Sequence, residues 1–384
     1  MKLLIHGRTL EGKRTGVGRY LANMLRIWTE EYKDNTYDIF FRDEIPNDDF
    51  ISSPNVNSHL VKNSKILDYG PIWENIYLPS KLSKFKDYDI YFTPEYILPV
   101  RPLKAARKQI VTIFDISYIA HPEWFPKRQL LTLSPLTGPT LKRADIILTG
   151  SESTKNEILK YYNINGDKVN VTHLGVDKKF EDINGTKDSH YVEKVKIKYD
   201  LKGKVVLFVG LVMNRRNIPV IMEAISNLKK KHGEDITFVI LGHNHTYPYI
   251  DILETARKFD IENSIKWIKY TSDEEVFSLY KAADVFICAS LYEGFNITPL
   301  EALYLETPII CSNLSSLPEV VGDAAYMIED PTDPVEMTKA LGDVLSNDEL
   351  RNDLRTKGLI QAQKFSWERC AKETMDIFKN TTND

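Results

Sequence analysis

Short apolar runs of β-favouring residues alternate with helical patterns along the whole chain, and that alternation leaves few folds open. Strands separated by crossover helices pair in parallel, because a parallel pair cannot be closed by a hairpin turn. In the first half strands are expected at Lys2–Gly7, Tyr37–Arg42, Tyr88–Thr93, Gln109–Phe114, Asp145–Gly150 and Lys168–His173. In the second half they recur at Val205–Leu211, Ile236–Leu241, Ser264–Tyr270, Asp284–Ser290, Pro308–Ser312 and Ala324–Ile328. Between the two sets, Gly175–Gly203 is polar and charged and contains Asn184-Gly185, the marks of a domain junction. The expected architecture is α/β: two doubly wound parallel-sheet domains, over 1–180 and 200–366, with strand carboxyl ends facing a central cleft. Residues Trp367–Lys379 form a helical pattern with Cys370, Ala371, Thr374, Met375 and Phe378 on one side. Periodicity leaves open which domain that helix packs on.

Composition narrows the function classes. A length of 384 residues suits two or three domains, and 42% hydrophobic with 27% charged residues is the make-up of a globular protein. The opening Met1–Gly7 run is too short for a signal peptide, and no segment reaches the roughly 18 apolar residues of a membrane span. Cys288, Cys311 and Cys370 are dispersed and lack a CxxC pair, which suits buried packing in a reducing cytoplasm and argues against a zinc site. A net charge of −4 argues against general nucleic-acid binding. Positions 101–150 nevertheless carry eight basic and three acidic residues, among them Lys104, Arg107, Lys108, Lys127, Arg128, Lys142 and Arg143. Singly these read as solvated surface; together they permit a weak contact with anionic lipid headgroups at the inner face of a membrane.

The chemistry concentrates at residues 293–301, where Glu293 and Glu301 bracket a turn that opens a helix. Thr298 is the expected N-cap, Pro299 the first helical residue and Glu301 the third. Free backbone N–H groups and the positive end of the helix dipole then suit a diphosphate. Glu301 has two readings, ligand contact or the return partner of a Thr298–Glu301 capping box. Glu293 lies after the strand and before the helix, where capping offers it no role. At the corresponding strand end earlier in the second half stand Arg215 and Arg216, two cations that call for an anionic partner. In the first half the loop Gly12–Tyr20, with Gly16 and Gly18, reads as a tight turn ahead of a helix, with phosphate approach as the alternative. It matches neither G-x-G-x-x-G with an acidic partner nor a Walker loop. Asp115 is either a turn aspartate or a group at the carboxyl edge of the first sheet. Asp87-Tyr88-Asp89 precedes its strand and reads as a surface turn, and His243-Asn244-His245 as a polar loop.

Taken in order, Gly16-Val-Gly18-Arg-Tyr20, His121-Pro-Glu-Trp-Phe-Pro126, Ser151-Glu-Ser-Thr154, Gly210 through Asn217, Leu279 through Asp284, Glu293 through Glu301 and Leu317 through Gly322 resemble the retaining GT-B glycosyltransferases of family 4. The resemblance covers nearly the whole chain. It implies two Rossmann-like domains, the first acceptor-side and joined by the returning helix at about 367–384, the second holding the nucleotide-sugar donor. It also implies that Glu293 contacts the donor sugar and Glu301 the ribose. Backbone amides of Gly294, Phe295, Asn296, Ile297, Thr298 and Leu300 would hold sugar hydroxyls and diphosphate, with Gly16 and Gly18 contributing from the first domain. Arg215 and Arg216 would neutralise the diphosphate, so that neither a metal nor a cofactor beyond the nucleotide diphosphate sugar (GDP- or UDP-linked) is expected. Catalytic roles fall to Glu293, Asp115, Arg215 and Arg216, with Glu293 orienting the sugar, and the domains are expected to close about the Gly175–Gly203 junction. The acceptor class is a saccharide or lipid-linked sugar of surface-polysaccharide synthesis, and likeness to bacterial polysaccharide mannosyltransferases points to mannose. Three positions depart from the common pattern: Phe114 stands where many relatives have histidine, Leu211 where many have arginine, and Asn296 where glycine is usual. An alternative is therefore a nucleotide-sugar-binding protein that has lost catalysis. An NAD-dependent dehydrogenase lacks its glycine fingerprint here.

Overall fold

Strands β1 (Lys2–His6), β2 (Thr36–Phe41), β3 (Val56–Leu60), β4 (Tyr88–Thr93), β5 (Ala106–Thr112), β6 (Ile146–Thr149) and β7 (Val169–Val171) form one parallel sheet in the order β3-β2-β1-β4-β5-β6-β7. In a second parallel sheet β8 (Lys204–Val209), β9 (Ile236–Leu241), β10 (Ile265–Ile268), β11 (Val285–Cys288), β12 (Ile309–Ser312) and β13 (Tyr326–Ile328) are ordered β10-β9-β8-β11-β12-β13. The computed structural model describes residues 1–14, 16–62, 70–101, 103–177, 180, 189–233 and 235–383. Two units result: Met1–Ile119, Lys127–Gly175 and Ser366–Asp384 make the first, Ala120–Pro126 and Val176–Phe365 the second.

Each unit has its own core. In the first, Leu4, Tyr91, Val111, Ile113 and Ile147 pack with Trp73, Leu78 and Leu141. In the second, Val206, Phe208, Phe238, Ile240, Ile287 and Ile310 meet Ile221, Ile225, Leu341 and Val344 from the covering helices. Strands such as Ile236–Leu241, buried at every position and apolar at all but Thr237, are what a parallel sheet covered on both faces requires.

Several elements differ from the sequence reading. Strand β3 was not expected, because Val56-Asn-Ser-His-Leu60 is polar at its centre; it is an edge strand whose in-register partner is the largely buried β2, where the Asp38 carboxylate pairs with His59. The run read as Val205–Leu211 ends at Val209, since Gly210 at φ 136° leaves extended geometry. The run read as Gln109–Phe114 is Ala106–Thr112, so Phe114 and Asp115 lie beyond the strand. The polar junction contains a helix, Ser189–Lys198, anchored in the second unit by Lys198 Nζ on Glu275 Oε1 at 2.5 Å and by Tyr199 donating to Glu275 Oε2 at 2.6 Å. Asn184-Gly185 lies outside the described residues.

The last helix, Trp367–Asn383, belongs to the first unit. Its buried face is Trp367, Cys370, Ala371, Thr374, Met375 and Phe378. The Trp28 indole donates to Ala371 O at 3.0 Å, and the Phe378 ring lies 5.5 Å from Trp28 and 5.4 Å from Phe92. Gly175 lets the chain pass closely: a Cβ there would sit 2.2 Å from Trp367 N.

Candidate functional site

The second sheet reverses its strand order between β8 and β11, and doubly wound sheets take ligands outside the carboxyl ends of their strands at such a point. Beyond β8 comes a single 3-10 turn, Asn214–Arg216, after which Asn217 adopts the left-handed conformation (φ 59°, ψ 33°) and starts the Ile218–His232 helix. Beyond β11 a loop leads to the eight-residue helix Ile297–Tyr304. The two loops are joined by backbone, Leu291 N–H donating to Arg215 O at 2.8 Å, and by charge, the Arg216 guanidinium pairing with the Glu293 carboxylate. These side chains are only 11% and 3% exposed, and Arg216 Nη1 also donates to Ser290 Oγ at 3.4 Å. The backbone of Glu293 is clamped as well. Its N–H donates to Ser315 Oγ at 3.2 Å, and its carbonyl accepts from Ser315 Oγ at 2.5 Å and Ser316 Oγ at 3.0 Å.

The helix cap is Asn296, not Thr298. Asn296 takes φ 68°, ψ 100°, outside helical space, while Ile297 already begins the helix. Its Oδ1 accepts from Thr298 Oγ1 at 3.0 Å and Thr298 N at 3.4 Å, and its Nδ2 donates to Cys288 Sγ at 3.4 Å. A short amide side chain that tolerates positive φ serves turn and cap together. Glu301, buried, accepts from Tyr280 OH at 3.0 Å, and the same hydroxyl reaches Thr298 O at 3.3 Å. Beneath the turn, Cys288 and Cys311 are in-register neighbours on β11 and β12 and both are buried thiols. Hydrogen bonding from Cys311 pulls the Cys288 thiol below its ordinary range, and burial pushes Cys311 well above it.

Thus Arg215, Arg216, Glu293, Gly294, Phe295, Asn296, Ile297, Thr298, Leu300 and Glu301 all lie at or beside one switch point of the second unit. Asp115, Gly16 and Gly18 belong to the first unit. Asp115 Oδ1 accepts from Ser117 N at 2.9 Å and Ser117 Oγ at 2.6 Å, opening the short Ser117–Ala120 helix. Gly16 starts the Gly16–Glu31 helix, and at Gly18 a Cβ would meet Thr9 O at 2.3 Å, so this glycine is required by the chain's own approach. His121, in the segment grouped with the second unit, stacks on Trp124 at 4.1 Å and lies edge-on to Tyr292 at 5.6 Å. Asp89 Oδ2 accepts from Lys2 N at 2.8 Å at the amino end of β4, and Asn244 between the two histidines donates to Ile250 O at 2.8 Å; both are local structure.

Sequence reasoning missed a second polar cluster, at the carboxyl ends of β1 and β4. Arg8 Nη1 donates to Glu74 Oε1 at 2.5 Å and lies 3.8 Å from Glu95 Oε2, while His6 Nδ1 lies 3.9 Å from that same oxygen. Burial lowers His6 to about 4 and raises both Glu74 and Glu95. Positions 6, 8, 74 and 95 share no motif spacing; only the strand-end positions of His6 and Glu95 signalled them. Elsewhere on the first unit, Lys86, Arg101 and Lys104 border a groove of about 870 Å³ with Ile76 and Leu103. No helix among the described residues is long and apolar enough to cross a membrane.

Comparison with known proteins bears on this geometry. Residues 192–360 match the family model described as Glycosyl transferases group 1. The O-antigen chain mannosyltransferase B of Escherichia coli is 27% identical over 390 aligned residues, which cover 99% of this chain and 100% of that protein. The serotype-specific mannosyltransferase WbdA of Escherichia coli is 28% identical over 240 residues, 62% of this chain and 29% of its own length. WaaG, a glycosyltransferase involved in lipopolysaccharide biosynthesis, shares the fold with a TM-score of 0.75 at 13% identity over 98% of this chain and 99% of its own. Anabaena Alr3699/HepE, solved in complex with UDP and glucose, has a TM-score of 0.71 at 15% identity over 99% of this chain and 100% of its own.

Proposed function

We propose that this chain is a group 1 glycosyltransferase, family 4 with the GT-B fold, and that it moves mannose from a nucleotide diphosphate sugar to a saccharide or lipid-linked acceptor in surface-polysaccharide synthesis, with retention of configuration. The observation that carries the reading is the Arg216–Glu293 pair at the β8/β11 switch point, directly ahead of the Ile297–Tyr304 helix. Mannose is favoured by the two relatives named as mannosyltransferases, one matched along its full length.

Breaking the bond from the sugar's anomeric carbon to the diphosphate leaves its electron pair, and hence negative charge, on the departing oxygen. Arg215, Arg216 and the helix start at Thr298–Leu300 stabilise that charge where it develops, in place of a metal. A guanidinium carries five N–H donors, so Arg216 can hold Glu293 and still bind phosphate oxygens. It thereby fixes the sugar-orienting carboxylate relative to the diphosphate. The acceptor hydroxyl attacks from the leaving-group face and passes its proton to a diphosphate oxygen. Glu301 binds the ribose. The basic stretch 101–150 meets anionic headgroups at the membrane's inner face when the acceptor is lipid-linked.

A panel of GDP- and UDP-linked sugars, scored by thermal stabilisation and nucleotide release, tests this reading. GDP-mannose is expected to stabilise the protein and to be slowly hydrolysed without acceptor. Stabilisation without any release would identify a silent binder, and no stabilisation by any nucleotide sugar would refute the assignment. Glu293→Ala is expected to lower turnover far more than nucleotide affinity; equal losses, or normal activity, would remove Glu293 from the mechanism.

A further inference from the structure

The first sheet reverses its order between β1 and β4, and the cluster of His6, Arg8, Glu74 and Glu95 sits at that reversal. Both sheets therefore place a basic group after one switch-point strand opposite an acidic group after the other: Arg8 with Glu95 in the first, Arg216 with Glu293 in the second. Glu74 comes from a π-helical turn, Trp73–Tyr77, an irregularity found often at functional sites. His6 is 3% exposed, its ring edge-on to Trp73 at 5.2 Å, and its Nδ1 has no hydrogen-bond partner among the described residues. Arg8, Glu74 and Glu95 are 32%, 23% and 24% exposed, so the cluster opens to solvent. An unpartnered buried nitrogen beside half-exposed charged groups is a site with one hydrogen bond still to be made.

We propose that this cluster is a subsite for the hydroxyl groups of an uncharged sugar, and that the reacting end of the acceptor is therefore a neutral saccharide rather than a phosphate. The proposal rests on the glycosyltransferase reading above. Sugar hydroxyls both donate and accept: Glu74 and Glu95 accept hydrogen bonds from them, Arg8 supplies donors, and His6 Nδ1 completes the set. Arg8, the one guanidinium of the cluster, is already engaged by Glu74 and Glu95, so the site offers a phosphate no unpaired positive charge. His6, Glu74 and Glu95 have ligating atoms within 4.8 Å of one another, the spacing of a metal site. Arg8 Nη1, however, already contacts both carboxylates, so a divalent ion would be forced against a cation.

The test uses the full chain and follows binding of methyl α-D-mannopyranoside, methyl β-D-galactopyranoside, inorganic phosphate and Mn²⁺ by nuclear magnetic resonance. GDP-mannose binding is followed in parallel as an independent readout of the second unit. At least one neutral glycoside should bind saturably, and Glu95→Gln and His6→Gln should each weaken it tenfold or more. Phosphate should neither bind at the cluster nor compete, and GDP-mannose affinity should be unchanged in both variants; near-ultraviolet circular dichroism, to which the buried Trp28 and Trp73 of the first unit contribute, should match the wild type and so report that the first unit is folded. With acceptor turnover available, Glu95→Gln should raise the acceptor KM while donor hydrolysis stays constant. The proposal is overturned if neither glycoside binds, if the variants bind it as the wild type does, if phosphate binds in preference, or if one Mn²⁺ binds and is lost in Glu95→Gln. Glycoside binding as expected without any GDP-mannose binding would count against the donor reading and leave the cluster standing.

Discussion

Glu293 and Arg216 are buried to a depth at which neither charge can be left alone. Removing one partner of such a pair costs about 3–5 kcal/mol, whereas replacing both by apolar groups of similar volume costs far less. Arg216→Met is therefore expected to be markedly less stable to urea than the double variant Arg216→Met/Glu293→Leu, and the opposite order would show that the pair is not coupled. Asn296 poses a conformational problem beside the electrostatic one. Asn296→Ala loses the cap and keeps a Cβ at φ 68° without the amide side chain that makes this conformation tolerable, for an expected loss of about 1–2 kcal/mol. Asn296→Gly relieves the backbone and should cost only a few tenths of that; thermal denaturation separates the two, and a glycine variant as damaged as the alanine one would place the cost elsewhere. The spacing of Glu293 and Glu301 was legible in the sequence because one strand, one turn and one helix start set it locally. Which residue caps the helix was not, since asparagine and threonine can both cap and a backbone angle decided between them.

Among the elements, the terminal helix shows how local pattern and long-range packing divide the information. Its buried face was readable from the spacing of Cys370, Ala371, Thr374, Met375 and Phe378, because helical period is intrinsic to the chain. Periodicity did not name its partner, since Trp28, Phe92 and Gly175 are brought to it only by tertiary packing; the family resemblance supplied the first domain instead. Phe378→Ala is expected to destabilise the first unit by about 3–5 kcal/mol, as large-to-small changes in a packed core do. Nucleotide-sugar affinity, a property assigned to the second unit, should be unchanged in the folded fraction. A comparable loss of donor binding would show that the helix also supports the donor site. Strand extents follow the same division: Tyr88–Thr93 and Ile236–Leu241 were readable to the residue, being short runs rich in aromatic and β-branched residues between polar flanks. The edge strand β3 escaped because its polarity hides it, and the cluster around His6 escaped because strand order, not sequence, assembles it.

At the scale of the molecule, the two units carry separate cores and separate titration and ligand levers. His6, in the first unit, is lowered by burial from 6.5 to about 4, so the unfolded chain binds its proton first as pH falls. The stability this contributes is fully present above about 6.5 and is lost as pH drops toward 4, at about 1.4 kcal/mol per pH unit and some 3 kcal/mol in all. Glu74 and Glu95 run the other way: raised by burial, they contribute stability below the ordinary carboxylate range that is lost as pH rises through it. They therefore offset part of the His6 effect at the acid end. Acidification from neutral pH to about 5 should lower the unfolding transition of the first unit, and His6→Gln should flatten that dependence. A saturating nucleotide sugar should instead raise the second unit's transition, by about 2.7 kcal/mol at a hundredfold excess over Kd. Calorimetry with both levers applied separately is expected to resolve acid-sensitive and ligand-sensitive transitions. If acid and nucleotide sugar moved one and the same transition, the units would unfold as a single cooperative body and the independence of their cores would be refuted.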